Sequence, residues 1–251
     1  MKKKLSLIMI GVAVLLLAGS VAGSARAALT YYSEDYVAQM DIKSIGVSLV
    51  ENGTAVSWRD YLHQDDAWSQ SSGKLLEHML GENEELAFGK KYEEALSVTN
   101  SGTIDEYVRV TVTKYWVDCD ASGNATTKKR TDMDPAAIRL HFLENQGWII
   151  DPSASTPERT VLYYNRPLAS GESSAALTDT LAIDDSIINA MIAKKNGSGK
   201  ATATQDYFYN DVQFIVEAEV DAVQTHNAEE AIRSAWGVDV NISDSGILSL
   251  Q

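Results

Sequence analysis

The segment Asp118-Cys119-Asp120-Ala121-Ser122-Gly123-Asn124 puts side-chain oxygens at its first, third and fifth positions and glycine at the sixth. That is the opening half of a calcium loop, in which hard oxygen donors build a shell around a divalent cation. A bidentate glutamate at position twelve would close the shell, but Lys129 stands there. An ammonium group repels the ion. The same residue types also suit the tip of a hairpin, where Asp, Ser, Gly and Asn supply turn geometry. The missing ligand favours the hairpin, and no metal site is assigned.

Other reactive side chains do not assemble into a recognisable catalytic set. His63, His78, His141 and His226 are scattered, with no pair four residues apart and no His-Glu-x-x-His. His63 with Asp65 and Asp66 offers metal-binding chemistry, yet Tyr61–Ser72 reads as a polar surface loop. There is no Gly-x-Ser-x-Gly elbow, and Cys119 has no basic neighbour before Lys128. Flanking Asp118 and Asp120 raise the thiol's pKa and blunt it. No catalytic residue and no cofactor are assigned, and a secreted hydrolase is the weakest of the functional readings.

Aromatic residues offer recognition rather than reaction. Trp58, Trp68 and Trp148 have the chemistry to stack on sugars, although core packing is the commoner task for such side chains. Tyr31, Tyr32 and Tyr36 lie in the polar run Ala28–Ala38 together with Leu29. One reading of that run is a frayed terminus. The other is an extended segment that adds as a strand to another subunit's sheet edge.

What makes residue 28 a terminus is the leader before it. Lys2, Lys3 and Lys4 precede a short apolar run, Leu5–Ala18, and Ala25-Arg26-Ala27 gives the small-x-small pattern of signal peptidase cleavage ahead of Ala28. The run is short for a permanent span, so residues 1–27 are expected to be a signal peptide rather than an uncleaved anchor. Leu17-Ala18-Gly19-Ser20 resembles a lipoprotein box, but serine replaces the lipid-bearing cysteine. A secreted protein, associated with the cell surface and with no stable membrane span after cleavage, is the expectation.

Composition narrows the partners. The leader carries four cations and no acid, so cleavage takes the formal charge from −14 to −18. That field repels nucleic acid and anionic lipid. A hydrophobic content of 45% supports a packed core. With Cys119 as its single cysteine the chain cannot form an internal disulfide, and export without disulfides fits a Gram-positive bacterium.

The elements that must position these residues are mostly strands. Val108, Val110, Val112 and Trp116 fall on one parity of Glu106–Trp116, and Tyr107, Arg109, Thr111, Thr113 and Tyr115 on the other. That period of two marks a half-buried strand. Val212–Val223 repeats it, with Phe214, Val216, Ala218, Val220 and Ala222 inward. Asp41–Val50, Glu94–Thr99, Ile138–Leu143, Trp148–Ile150, Arg159–Tyr164 and Ala176–Ile183 read as further strands, and Asn52-Gly53, Asn100-Ser101-Gly102, Ser122-Gly123-Asn124 and Ser170-Gly171 as turns. Apolar stripes predict helices over Lys74–Leu80, Ser186–Lys195 and Ala228–Trp236. The last is capped in this reading by Asn227 with Glu230, is lined by Ala228, Ala231, Ile232, Ala235 and Trp236, and ends at Gly237. Gly197–Thr204 reads as a surface loop. The expectation is a mainly β protein, an antiparallel β-sandwich of jelly-roll or Ig-like type with a few short peripheral helices. Residues 39–251 form its single domain.

Three blocks carry a family resemblance. Gly89-Lys-Lys-Tyr-Glu-Glu-Ala-Leu-Ser-Val-Thr-Asn100-Ser-Gly102 through Val108-Arg109-Val110 resembles the "P-G-D … N-x-G … V-R-V" core of TasA/camelysin-like exported proteins of Gram-positive bacteria. Tyr163-Tyr164 through Leu168, Gly171 and Glu172 resembles their "Y-Y-x-x-x-L-x-P-G-E" block, and Phe214–Gly237 their closing strand and helix. Thr30–Asp35 is similar to the entry region cut by their dedicated signal peptidase. Phe88 and Ser170 replace two prolines of the pattern, and Tyr61–Glu85 matches none of it. The resemblance implies a non-enzymatic protein of the cell surface or biofilm matrix, a self-associating one or a partner of related matrix proteins, with fibres built by N-terminal strand donation. The assembly residues would then be Leu29, Tyr31, Tyr32 and Tyr36. A soluble adhesin or glycan-binding module is the alternative. Camelysin relatives are also labelled metalloproteases, and this sequence offers no ligand set for that.

Overall fold

The structure, a computed structural model, describes residues 44–62, 67–71, 73–81, 84–185 and 212–251, all within one compact unit, Lys43–Gln251. The cleavage residues Ala25, Ala27 and Ala28, the assembly residues Leu29, Tyr31, Tyr32 and Tyr36, the His63 cluster, the Ser186–Lys195 helix and the Gly197–Thr204 loop lie outside the described residues.

The strands are β1 Gly46–Glu51, β2 Thr54–Leu62, β3 Ala67–Ser71, β4 Lys91–Glu93, β5 Leu96–Asn100, β6 Glu106–Cys119 and β7 Ala125–Lys129. They continue as β8 Ile138–Phe142, β9 Trp148–Ile150, β10 Arg159–Tyr164, β11 Thr178–Ile183, β12 Val212–Gln224, β13 Val240–Ile242 and β14 Leu248–Leu250, with one helix, α1 Ala228–Trp236, before β13. Every pairing among the described strands is antiparallel. The sheets run β3-β2-β1-β5, β12-β6-β10-β9 with β7 also on β6, β4-β11-β8, and β13-β14.

An apolar core holds the layers together. Val108, Val110, Val112 and Trp116 of β6 pack with Val47 of β1, Leu96 and Val98 of β5, Ile138 of β8 and Leu181 of β11. This is the sandwich expected of inward parity on facing sheets. The β6–β12 pair is its longest seam, in register from Glu106↔Gln224 to Asp118↔Val212. The two-residue link between β1 and β2 has Asn52 at φ 48° and Gly53 at φ 83°. Both central residues in the left-handed region make the hairpin turn that matches strand twist.

The other face of β6 is not left to solvent along its first half. Tyr107, Tyr163 and Val223 form a second cluster under Ile232 of α1 and under Val240 and Leu248 of the terminal hairpin. Arg109 on that face donates twice to Asp221, at 2.6 and 3.0 Å, and lies 5.4 Å from the Trp236 ring.

Several local expectations are corrected. Lys74–Leu80 is a run of turns, not a helix. Leu76 takes φ 68°, which ends any right-handed repeat, and its N–H is claimed by the Glu51 side chain at 2.6 Å. Tyr61–Ser72 is not simply a polar loop, since β2 runs to Leu62 and β3 pairs with it from Ala67. Asn227 does not cap α1 through its side chain; it sits in the left-handed region at φ 51°. The Glu229 carboxylate accepts instead from Ile242 N–H. Ala235 is exposed, outside the stripe assigned to it. Gly237, at φ 70°, terminates the helix as expected, its N–H donating to Arg233 O. β4, β7, β13 and β14 are too short or too polar for their period to show in the sequence.

Candidate functional site: an apolar groove along a sheet edge

Strand β12 ends its sheet, pairing with β6 on one side and with no other strand among the described residues. Seven consecutive residues, Val212–Ala218, line a cavity of about 930 Å³. Residues of both parities can line one cavity only where it meets the strand edge-on, because alternate side chains point to opposite faces. The groove therefore runs along the edge of β12 that no described strand pairs.

Its other walls are apolar. Leu49 of β1 and Val56 of β2 lie opposite, Trp116 and Phe88 contribute at depth, and the Gly73–Leu80 strap supplies Leu75, Leu76, Met79 and Leu80. Trp116 is fixed by its Nε1–H, which donates to Asp134 O at 3.0 Å, and by an edge-on Phe214 ring 6.0 Å away. Gly73 is pressed onto β2. A Cβ there would fall 2.0 Å from the Val56 carbonyl oxygen, so only glycine admits the strap at this depth.

Buried carboxyls surround β1. At its start Glu106 Oε1 accepts Gly46 N–H at 2.9 Å, while Oε2 is buried with no hydrogen-bond partner among the described residues. Burial, opposed by the Gly46 bond and assisted by the Asp60 charge, pushes Glu106 up to about 7. At the end of β1, Glu51 Oε1 holds Leu76 N–H. Glu94 is fully buried beside it, within hydrogen-bonding reach of Glu51 and with no other partner among the described residues. Burial first and the Glu51 charge second push Glu94 up to about 8.

These three glutamates were overlooked at the level of sequence although a signal existed. Glu51 shares parity with Val47 and Leu49, Glu94 with Leu96 and Val98, and Glu106 with Val108 and Val110. Each extends an inward-facing row by two residues, where a charged type signals an unusual environment.

The residues singled out by chemistry are separated. The Asp118–Asn124 segment is a hairpin tip: β6 returns as β7, and Asp120 Oδ1 accepts the N–H groups of Ser122 and Asn124 at 2.8 and 2.9 Å. Asp118 faces Lys128 and Arg130, whose hydrogen bonds hold its carboxyl below the usual range. Lys129 pairs with Glu158 and lies 4.1 Å from the Tyr115 ring centroid. Cys119 is half-buried opposite Ala125. His141 bonds Asp179 at 2.7 Å, while His78 and His226 are exposed elsewhere. Among the described residues no group of three or more His, Cys, Asp and Glu comes together to hold a metal.

Of the sugar-stacking candidates, Trp148 is buried against Tyr164, with Nε1–H donating to Ala175 O at 2.8 Å. Trp58 is 42% exposed on β2. The Trp68 side chain lies outside the described residues. No helix among the described residues is long and apolar enough to cross a membrane. No protein-family model, curated protein or solved structure matches the chain.

Proposed function

We propose that this chain is an exported, non-enzymatic structural protein of the bacterial cell surface or biofilm matrix. It assembles by strand addition, with the β12 edge and its groove as the acceptor. The observation that carries this reading is the 13-residue strand β12, unpaired on its outer side among the described residues and flanked there by an apolar groove. An exposed strand edge is a template for another strand, and native proteins ordinarily blunt it. Main-chain hydrogen bonds would give affinity, and the groove would select alternate apolar side chains.

The donor in this reading is residues 28–38, freed when signal peptidase cuts between Ala27 and Ala28, with Leu29 and Tyr31 sharing one parity. Tyr32 and Tyr36 share the other. Donation to the next copy is a heterologous contact that does not close, so it grows filaments. The resemblance of three sequence blocks to TasA/camelysin-like proteins supports the same reading and implies a jelly-roll arrangement of the sandwich.

Electron microscopy of the chain beginning at Ala28 tests it. Filaments are expected, and they should be lost on deleting residues 28–38 or on Leu80→Lys, which puts a charge on the groove wall. Filaments that survive both changes would remove the β12 groove from assembly. The exposed Trp58 favours a second reading, a glycan-binding surface protein. A monomer in light scattering that loses polysaccharide binding on Trp58→Ala would replace the first reading with the second.

A further inference from the structure

One wall of the groove carries a strained residue whose N–H is held by a buried carboxylate. Leu76 sits at φ 68°, a left-handed conformation that costs a side-chain-bearing residue about 1–2 kcal/mol. Its N–H donates to Glu51 Oε1 at 2.6 Å. Within the strap, the backbone adds only a long Met79 N–H to Leu76 O bond at 3.3 Å. Leu75, Leu76 and Met79 also pack on the apolar core, so the Glu51 carboxylate fixes the conformation of the strap at Leu76.

Behind Glu51 stands Glu94, buried, whose carboxyl in its neutral form hydrogen-bonds Glu51 and meets no other partner among the described residues. The groups around the pair leave it electrostatically alone. From β11, Thr178 donates its hydroxyl to the Glu94 carbonyl, while the Asp179 carboxylate bonds His141. From the β1–β2 turn, Asn52 Oδ1 is occupied by Ala95 N–H. On β4, Lys91 and Glu93 are exposed, as are Lys74, Glu77 and His78 on the strap. No cation pairs with Glu94 or Glu51 among the described residues.

We propose that Glu94, Glu51 and the Leu76 amide form a proton-operated latch on the groove wall. With Glu94 neutral, Glu51 remains as the single buried carboxylate and pins the strap. When Glu94 loses its proton, two carboxylates share a dry site. The repulsion is relieved by Glu51 swinging to water. That movement breaks the bond to Leu76, and the strained residue relaxes. Because burial raises Glu94 to about 8, release falls on the alkaline side of neutrality. The assignment of a role to this latch rests on the groove being the acceptor, so assembly is favoured at neutral and mildly acidic pH.

Hydrogen exchange read by mass spectrometry tests the latch on the chain beginning at Ala28, at about pH 6 and about pH 9, with rates corrected for intrinsic base catalysis. Amides of residues 73–81 should exchange about tenfold or more faster at the higher pH, as expected for loss of a charge-assisted bond. Strand β6 in the same sample reports an intact fold. Glu94→Gln should abolish the pH dependence. Glu51→Gln, which keeps an acceptor for Leu76 N–H without charge, should do so too and serves if the first variant loses β6 protection. Equal corrected rates in the unmodified chain, or an unchanged pH response in the variants, would overturn the latch. Electron microscopy of the same samples separates the two ideas: absence of filaments at every pH sinks the assembly reading alone, and exchange still decides the latch.

Discussion

Glu106 accepts the backbone N–H of Gly46 at 2.9 Å across a 60-residue separation, and this bond fixes where β1 begins. It belongs to a knot in which Ser101 N–H and Gly102 N–H both donate to Gly46 O, at 2.9 and 3.0 Å. The strand that follows residues 28–38 in the chain is thereby anchored at its first residue.

The knot leaves no room for side chains. A Cβ on Gly102 would lie 2.6 Å from Gly46 N and from Ser44 O, and one on Gly46 would lie 2.9 Å from Gly102 N. Gly102→Ala and Gly46→Ala should each cost about 2–3 kcal/mol or more in urea unfolding, since backbone must move. Gly123→Ala, at φ 81° with nothing within 4 Å, should cost only about 1 kcal/mol. Equal losses at all three positions would contradict the packing argument.

Asn100 is the polar centre of the same region. Its Nδ2 donates to Ile104 O at 2.7 Å and Leu168 O at 2.9 Å, and its Oδ1 accepts Gly102 N–H at 2.8 Å. Asn100→Ala removes three hydrogen bonds. Gly102 N–H keeps Gly46 O and Leu168 O keeps Glu106 N–H, but Ile104 O loses its partner, for an expected loss of about 2–3 kcal/mol. Asn100→Asp cannot donate to the two carbonyls and should be nearly as harmful. Thermal unfolding of both variants checks this, and a wild-type melting temperature in either would refute it.

Stability should decline with rising pH. Glu94 and Glu106 ionise near 4.5 when unconstrained, but near 8 and 7 in the fold. The folded chain therefore binds more protons than the unfolded one between those values. The associated stability is fully present below about 4.5 and is lost as pH rises through 7 and 8, on the order of a few kcal/mol in all. Glu106→Gln, which keeps an acceptor for Gly46, should be more stable than the unmodified chain at pH about 8 and should flatten this slope. Urea midpoints across the range measure it; a midpoint that climbs with pH would reverse the assignment.

The Asp118–Asn124 hairpin should be indifferent to calcium. Asp118 is occupied by Lys128 and Arg130, and Asp120 by backbone N–H groups. Millimolar-range calcium, on the order of the weakest loop affinities, should leave the melting temperature unchanged. Asp118→Asn should lower the melting temperature only slightly, since ion pairs open to solvent contribute little. A calcium-dependent rise in melting temperature would restore the loop as a cation site.

Much of this was legible in the sequence because strand periodicity is local. The parity of Val108–Val112 and of Phe214–Ala222 identified β6 and β12 and their inward faces, and Asn52-Gly53 identified the β1–β2 turn. Periodicity misled over Leu75, Leu76, Met79 and Leu80. A helical stripe there serves equally to pack a strap onto a core, and the choice was made by Glu51, 25 residues away. The groove was not legible at all, since it lies between β12 and strands more than 150 residues earlier in the chain.

The sequence by itself determined which residues face inward, where the turns fall and which half-motif cannot hold calcium, because each depends on neighbours within a few positions. Only the tertiary structure decided that β12 is the end strand of its sheet among the described residues and that Glu51 meets Glu94. Which edges stay unpaired and which charges become neighbours follow from how distant strands stack. That stacking is set by the packing of the whole core rather than by any segment within it.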